Sequence, residues 1–108
     1  MSEAEASPAF QRVLQLVELP PGSKKTVQAG GACILLCHAN QRVYAISNIC
    51  SHNQQALDGG RVIGTSIACP LHGARFDLAT GKALNLPAKK PVPIYEVRVV
   101  DEWIEVLV

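Results

Sequence analysis

The sequence predicts an all-β fold, and three features carry that prediction. Apolar and polar residues alternate from Ile94 to Val100, and again from Ile104 to Val108, which is the period of a half-buried strand. Clusters rich in Gly and Pro, such as Pro20-Pro21-Gly22-Ser23 and Ala29-Gly30-Gly31, punctuate the chain about every 8 to 12 residues. No stretch carries a helical period. Short antiparallel strands closing a sandwich or small barrel satisfy all three.

Taken in order, residues 1–11 read as a polar, Ala- and Glu-containing tail, and 12–108 as one domain. Arg12 to Leu19 is the first strand expected, stopped by two prolines that cannot donate to a ladder. Lys24 to Gln28 follows, then a turn at Gly30-Gly31. Ala32 to His38 is almost wholly apolar, as a strand buried on both faces would be. Ala39-Asn40-Gln41 turns it back into Arg42 to Ser47. Arg61 to Ala68 folds around a turn at Gly64-Thr65-Ser66, and Phe76 to Leu78 returns through Lys82 to Leu84 after a turn at Ala79-Thr80-Gly81. Leu86 to Pro93 holds three prolines and forms a stiff loop. Ile94 to Val100 and Ile104 to Val108 form a final hairpin. Its turn, Asp101-Glu102, is a poor two-residue turn because Glu resists positive φ, which predicts a longer connection or another turn type.

The chain has 108 residues, enough for one domain that buries roughly two-thirds of the surface its unfolded form exposes. Ten basic and nine acidic side chains leave a net charge of +1. Such a balance supplies no field for nucleic acid or an anionic membrane. The first ten residues lack the cationic start and apolar run of a targeting peptide, and no stretch approaches the roughly 18 apolar residues of a membrane span. The expectation is a cytoplasmic, unanchored protein acting as a monomer.

Of the four cysteines, Cys33 and Cys37 lie in the apolar strand, where four residues span roughly 13 Å. A disulfide needs Cα atoms within about 7 Å, so these two cannot pair while the strand is extended. Both read as small core residues.

The other two open two short pairs. Cys50-Ser51-His52 is followed by sixteen residues and then by Cys69-Pro70-Leu71-His72-Gly73. A structural zinc site can use two Cys and two His, but zinc fingers commonly group like ligands together. Here each pair mixes a thiolate with an imidazole, which suits two metal ions side by side, one holding the thiolates and the other the imidazoles. Zinc remains the alternative at this point.

With Ala56-Leu57-Asp58-Gly59-Gly60 after the first pair, and Ala74-Arg75-Phe76-Asp77 and Thr80-Gly81-Lys82 after the second, the pattern resembles the Rieske family. Within it, the pattern is similar to the small ferredoxins that serve ring-hydroxylating dioxygenases in aromatic hydrocarbon catabolism. The resemblance runs from about Val13 to the C-terminus. It implies an antiparallel β sandwich with a small subdomain of two ligand loops. It also implies one [2Fe-2S] cluster on Cys50, His52, Cys69 and His72, with the two imidazoles as the electron port. The implied function is single-electron transfer, from a flavoprotein ferredoxin reductase to a terminal oxygenase, with no catalysis by this chain.

Departures from the membrane-tethered respiratory members refine that reading. Those members carry a disulfide between the loops, where this chain has Gln55 and Leu71, and two hydroxyl donors to sulfur, where it has Ala74 and Phe76. Donors to sulfur favour the reduced cluster, so their absence implies a potential near the low end of the Rieske range of about −150 to +300 mV. An oxygenase would need a second iron on two His and a carboxylate, and only His38 remains. A nitrite reductase small subunit, whose family often lacks the ligands, and a zinc-stabilised interaction module are the other readings. His38 reads as a surface or strand-end imidazole, Tyr95 and Trp103 as core or rim packing, and Lys89-Lys90 as a solvated loop or a docking element.

Overall fold

A computed structural model describes residues 10–48, 56–70, 73–85 and 90–108. Among them are ten strands and two short 3-10 turns: β1 (Phe10–Gln15), β2 (Lys24–Ala29), β3 (Ala32–Ala39), β4 (Arg42–Ser47), β5 (Arg61–Ile63), β6 (Ser66–Ala68), β7 (Arg75–Asp77), β8 (Ile94–Tyr95), β9 (Val97–Val100) and β10 (Trp103–Leu107). They form three antiparallel sheets, ordered β1-β10-β9, β2-β3-β4-β8 and β5-β6-β7.

The four-stranded sheet is the middle layer, because β3 is apolar on both faces. Ile34 and Leu36 pack with Leu14, Leu19, Ile104 and Val106, the core shared with the β1-β10-β9 sheet. Leu35, Cys37 and Ala39 face the other way, onto Leu57, Ile67, Cys69, Phe76 and Leu78 of the smaller subdomain. Period-two alternation along β3 thus feeds two cores, as expected for a strand buried on both sides.

The tight turns follow the expected places. Gly30 and Gly31 both take positive φ, and so do Asn40 and Gln41 between Ala39 and Arg42. Asp101 and Glu102 also adopt φ of 52° and 65°, and Val100 pairs directly with Trp103. The final hairpin therefore closes on two residues after all. The packing of Ile104 and Val106 fixes the register and imposes the left-handed backbone on Asp and Glu.

Three strand assignments shift. β1 starts at Phe10, within the expected tail, and stops at Gln15, not Leu19. A bulge at Val13 and a hydrogen bond from Leu16 N to Glu102 O end the ladder. The 3-10 turn Leu16–Glu18 then lowers Leu19 into the core. The return at Lys82 to Leu84 makes only one bridge, Phe76 to Ala83. The segment Ile94 to Val100 divides at Glu96, with Tyr95 paired to Ala45 of the middle sheet and Val97 to Val106 of the outer one. A strand that changes sheets joins the layers at a corner. Tyr95 and Val97 keep their apolar side inward, whereas Val99 runs past the core and is 45% exposed.

On the outer face of the β1-β10-β9 sheet, Arg12, Glu105 and Arg98 stand in register across three strands. Glu105 Oε2 accepts from Arg12 Nε at 3.2 Å and its Oε1 from Arg98 Nε at 2.7 Å. The two guanidinium groups also lie over rings, Arg12 on Trp103 at 5.1 Å and Arg98 on Phe10 at 4.1 Å from the centroid. Glu105 is buried beneath them, and the Arg98 hydrogen bond, then Arg12, holds its carboxyl below the ordinary range against the opposing effect of burial.

Candidate cluster-binding site

Of the four proposed ligands the structure places Cys69; Cys50, His52 and His72 lie outside the described residues. What it does define is the ground on which both ligand segments stand. Cys69 follows β6 directly and is buried among Leu57, Ala74 and Phe76. Its N–H donates to Ala74 O at 2.6 Å, and its carbonyl accepts from Gly73 N at 3.1 Å. These bonds tie Cys69 to Gly73 and Ala74, and Gly73 holds a φ of 73° that disfavours a side chain.

The first segment is pinned in the same way. Asn48 N donates to Cys33 O at 3.1 Å, and Leu57 N donates to Asn48 O at 2.8 Å, which ties Leu57 to the end of β4. Asn48 is buried, and its Nδ2 lies 3.6 Å from Cys33 Sγ. Among the described residues its Oδ1 has no partner. Beyond it the 3-10 turn Leu57–Gly59 is tied to β2 by Thr26 Oγ1 donating to Asp58 Oδ2 at 3.3 Å.

The two pinned points adjoin. A Cβ on Gly59 would stand 3.7 Å from Pro70 Cγ, and one on Gly60 would collide with the carbonyl oxygen of Ala68. Beside Cys69 lies an open groove of about 330 Å³, lined by the small Gly59, Gly60, Ala68 and Gly73 and by Pro70, Arg61 and Ile63. Val92 and Pro93 attach to the smaller subdomain and to the end of β4. Val92 is buried in the same core, its N–H donates to Gly81 O at 2.8 Å, and Ser47 N donates to Pro93 O at 2.9 Å. The sequence-predicted stiff loop at 86–93 is described only from Lys90 onward.

Ala74 and Phe76 are fully buried behind Cys69 and bring no hydroxyl to its surroundings. Sequence reasoning missed Asn48 and Asn85. Asn85 Oδ1 accepts from Arg75 N at 2.7 Å and its Nδ2 donates to Gly73 O at 3.3 Å. The available signal was position alone: Asn48 stands two residues before Cys50, and Asn85 two before Pro87.

The remaining expectations are structural. Burial pushes the Cys37 thiol up to about 12, with Lys24 pulling weakly the other way. His38 Nδ1–H donates to Leu19 O at 2.7 Å, which fixes its tautomer. Tyr95 packs on the core beneath the outer sheet, and Trp103 carries Arg12.

A buried cysteine on a loop pinned by backbone bonds, with small neighbours beside it, fits a [2Fe-2S] cluster ligand. Two thiolates and two imidazoles are the donor set such a centre takes. The Rieske [2Fe-2S] domain family model matches residues 9–96. The naphthalene 1,2-dioxygenase/salicylate 5-hydroxylase ferredoxin component of Ralstonia sp is 37% identical over 84 residues, 78% of this chain and 81% of its own. Among solved structures, the ferredoxin of carbazole 1,9a-dioxygenase from Nocardioides aromaticivorans superposes with a TM-score of 0.86 at 38% identity, covering 91% of this chain and 96% of its own. One chain from a complex of reduced oxygenase and oxidized ferredoxin in carbazole 1,9a-dioxygenase superposes at 0.85 with 27% identity, covering 91% and 92%. The protein is therefore a member of the Rieske [2Fe-2S] domain family.

Proposed function

We propose that Cys50, His52, Cys69 and His72 hold one [2Fe-2S] cluster, and that the chain is the ferredoxin component of a ring-hydroxylating dioxygenase system. In that role it takes single electrons from a flavoprotein reductase and delivers them to a terminal oxygenase. The observation that carries this reading is the placement of Cys69. It is buried, its backbone is bonded to Gly73 and Ala74, and Gly59, in the turn that follows the first ligand segment, lies beside its neighbour Pro70. When bound, a cluster of this type stores and returns one electron.

The chain's own contribution is positional. The bonds from Cys69 N to Ala74 O and from Gly73 N to Cys69 O hold the described residues that border His72. The bond from Leu57 N to Asn48 O joins the described residues on either side of Cys50 and His52. Leu57, Phe76 and Leu78 keep water from the inner side. The ferredoxin captured with its oxygenase in the carbazole system shares this fold, which supports an oxygenase as the electron acceptor. A cytoplasmic setting agrees with thiols left reduced at Cys33 and Cys37. His38 is committed to Leu19, so the electron leaves for an iron site that another protein supplies.

The test is the composition and spectrum of the purified protein. About two irons and two labile sulfides per chain, with a red-brown colour, are expected. Cys69→Ser should abolish assembly, and reduced protein should be reoxidised by a terminal oxygenase of a dioxygenase system. Stoichiometric zinc without sulfide, after expression with ample iron, would overturn the proposal in favour of a zinc-stabilised module.

A further inference from the structure

Between β7 and the returning chain the hydrogen-bond ladder passes from backbone to side chain. Asp77 N donates to Lys82 O at 2.9 Å, Phe76 bridges Ala83, and Leu84 N donates to Arg75 O at 2.8 Å. The next rung uses a side chain. Asn85 Oδ1 accepts from Arg75 N and Nδ2 donates to Gly73 O, so one carboxamide performs the acceptor and donor roles that a peptide group performs in a strand. Backbone could not continue the ladder far, since Pro87 lacks an N–H.

We propose that Asn85 is a positioning residue for the second ligand segment. The Gly73 residue that follows His72 is held from two sides. Its N–H is bound by Cys69 O, and its carbonyl by Asn85 Nδ2. Gly73 is therefore held by the Cys69 carbonyl on one side and by the Asn85 amide on the other. The role demands a carboxamide at this reach. Asp presents a second acceptor to the Gly73 carbonyl, Ala presents nothing, and Gln carries the same groups one methylene further out. Asn85 itself is exposed, so its loss removes these two bonds without opening a cavity in the core. This inference rests on His72 being a cluster ligand.

The experiment loads the parent, Asn85→Ala, Asn85→Asp and Thr80→Ala with cluster and follows iron release to a chelator, the EPR signal of the reduced protein and the denaturation midpoint. Groups that orient a metal ligand commonly change metal affinity 10- to 100-fold. Asn85→Ala is expected to release iron about tenfold faster than the parent, with a broadened EPR signal, and Asn85→Asp at least as fast. Thr80→Ala removes the bonds Thr80 makes to Asp77 and Lys82 at the far end of the same hairpin, and is expected to release iron at the parent rate. If Asn85→Ala does not accumulate, Asn85→Ser is read by the same criteria. Parent-like release and EPR in the Asn85 variants, or equally fast release from Thr80→Ala, would overturn the inference alone. A parent that binds no iron or sulfide would overturn the proposed function with it.

Discussion

Gly60 lies so close beneath the carbonyl oxygen of Ala68 that a Cβ on residue 60 would collide with it. Its φ of −83° is open to any residue, so glycine is required here by space and not by backbone conformation. The contact sets the chain leaving the first ligand segment against the strand that ends at Cys69. Gly60→Ala must push the two apart. We expect a loss of about 1–3 kcal/mol, the usual cost of overpacking, and a lower iron content per chain. Urea denaturation and iron analysis of the purified variant check both, and a variant with parent stability and iron would refute the steric account.

The buried pair Ala74 and Phe76 predicts a low potential that can be raised. Ala74→Ser with Phe76→Tyr adds two hydroxyl donors near Cys69 without altering a ligand. A donor that favours the reduced state by about 1.5 kcal/mol corresponds to roughly 65 mV for one electron. Direct electrochemistry at one pH should show an increase of that order. An unchanged potential with an intact cluster spectrum would assign the tuning to solvent exposure or charge.

Glu105 predicts an acid-sensitive stability. The paired Arg98 and Arg12 depress its folded-state pKa below the ordinary 4.5. The unfolded chain thus binds the proton more readily, and the stabilisation is present above about 4.5 and lost as pH falls through the depressed folded value. Glu105→Gln should be less stable than the parent at neutral pH, and the difference should close in acid. Thermal unfolding at several pH values would expose the opposite trend if the network were inert.

Cys37 carries the reverse sign. Its thiol is held protonated up to about 12, whereas the unfolded thiol ionises near 9.0. Stability from this group is complete below 9.0 and falls as pH rises towards 12. The native thiol should resist alkylation at pH 8 while the half-buried Cys33 reacts first, as mass spectrometry of the labelled protein would resolve. Rapid labelling of Cys37 without unfolding would contradict its burial.

The left-handed turns predict a gain. Gln41 and Glu102 both hold positive φ, where a Cβ costs roughly 1–2 kcal/mol. Gln41→Gly and Glu102→Gly are each expected to raise stability by about 0.5–1 kcal/mol, the remainder being offset by the freer unfolded chain. A fall in the urea midpoint for both would mean that their side chains make contacts worth more than the strain.

The sequence by itself determined whatever depends on near neighbours. A continuous apolar run marked β3 and alternation marked β10, Gly and Pro marked the turns, and the order Cys50, His52, Cys69, His72 marked the family, because a metal centre constrains ligand type and spacing within short segments. The tertiary structure alone decided which side of each strand meets which core. It divided Ile94 to Val100 between two sheets, buried Glu105 under two arginines, and drew Leu19 inward through a turn at the end of the expected first strand. It also assigned work to Asn48, Gly60 and Asn85, residues with no periodic signature. Their partners, Cys33, Ala68 and Gly73, lie 8 to 15 positions away, and a hydrogen bond or steric limit set by another segment leaves no mark in the local pattern.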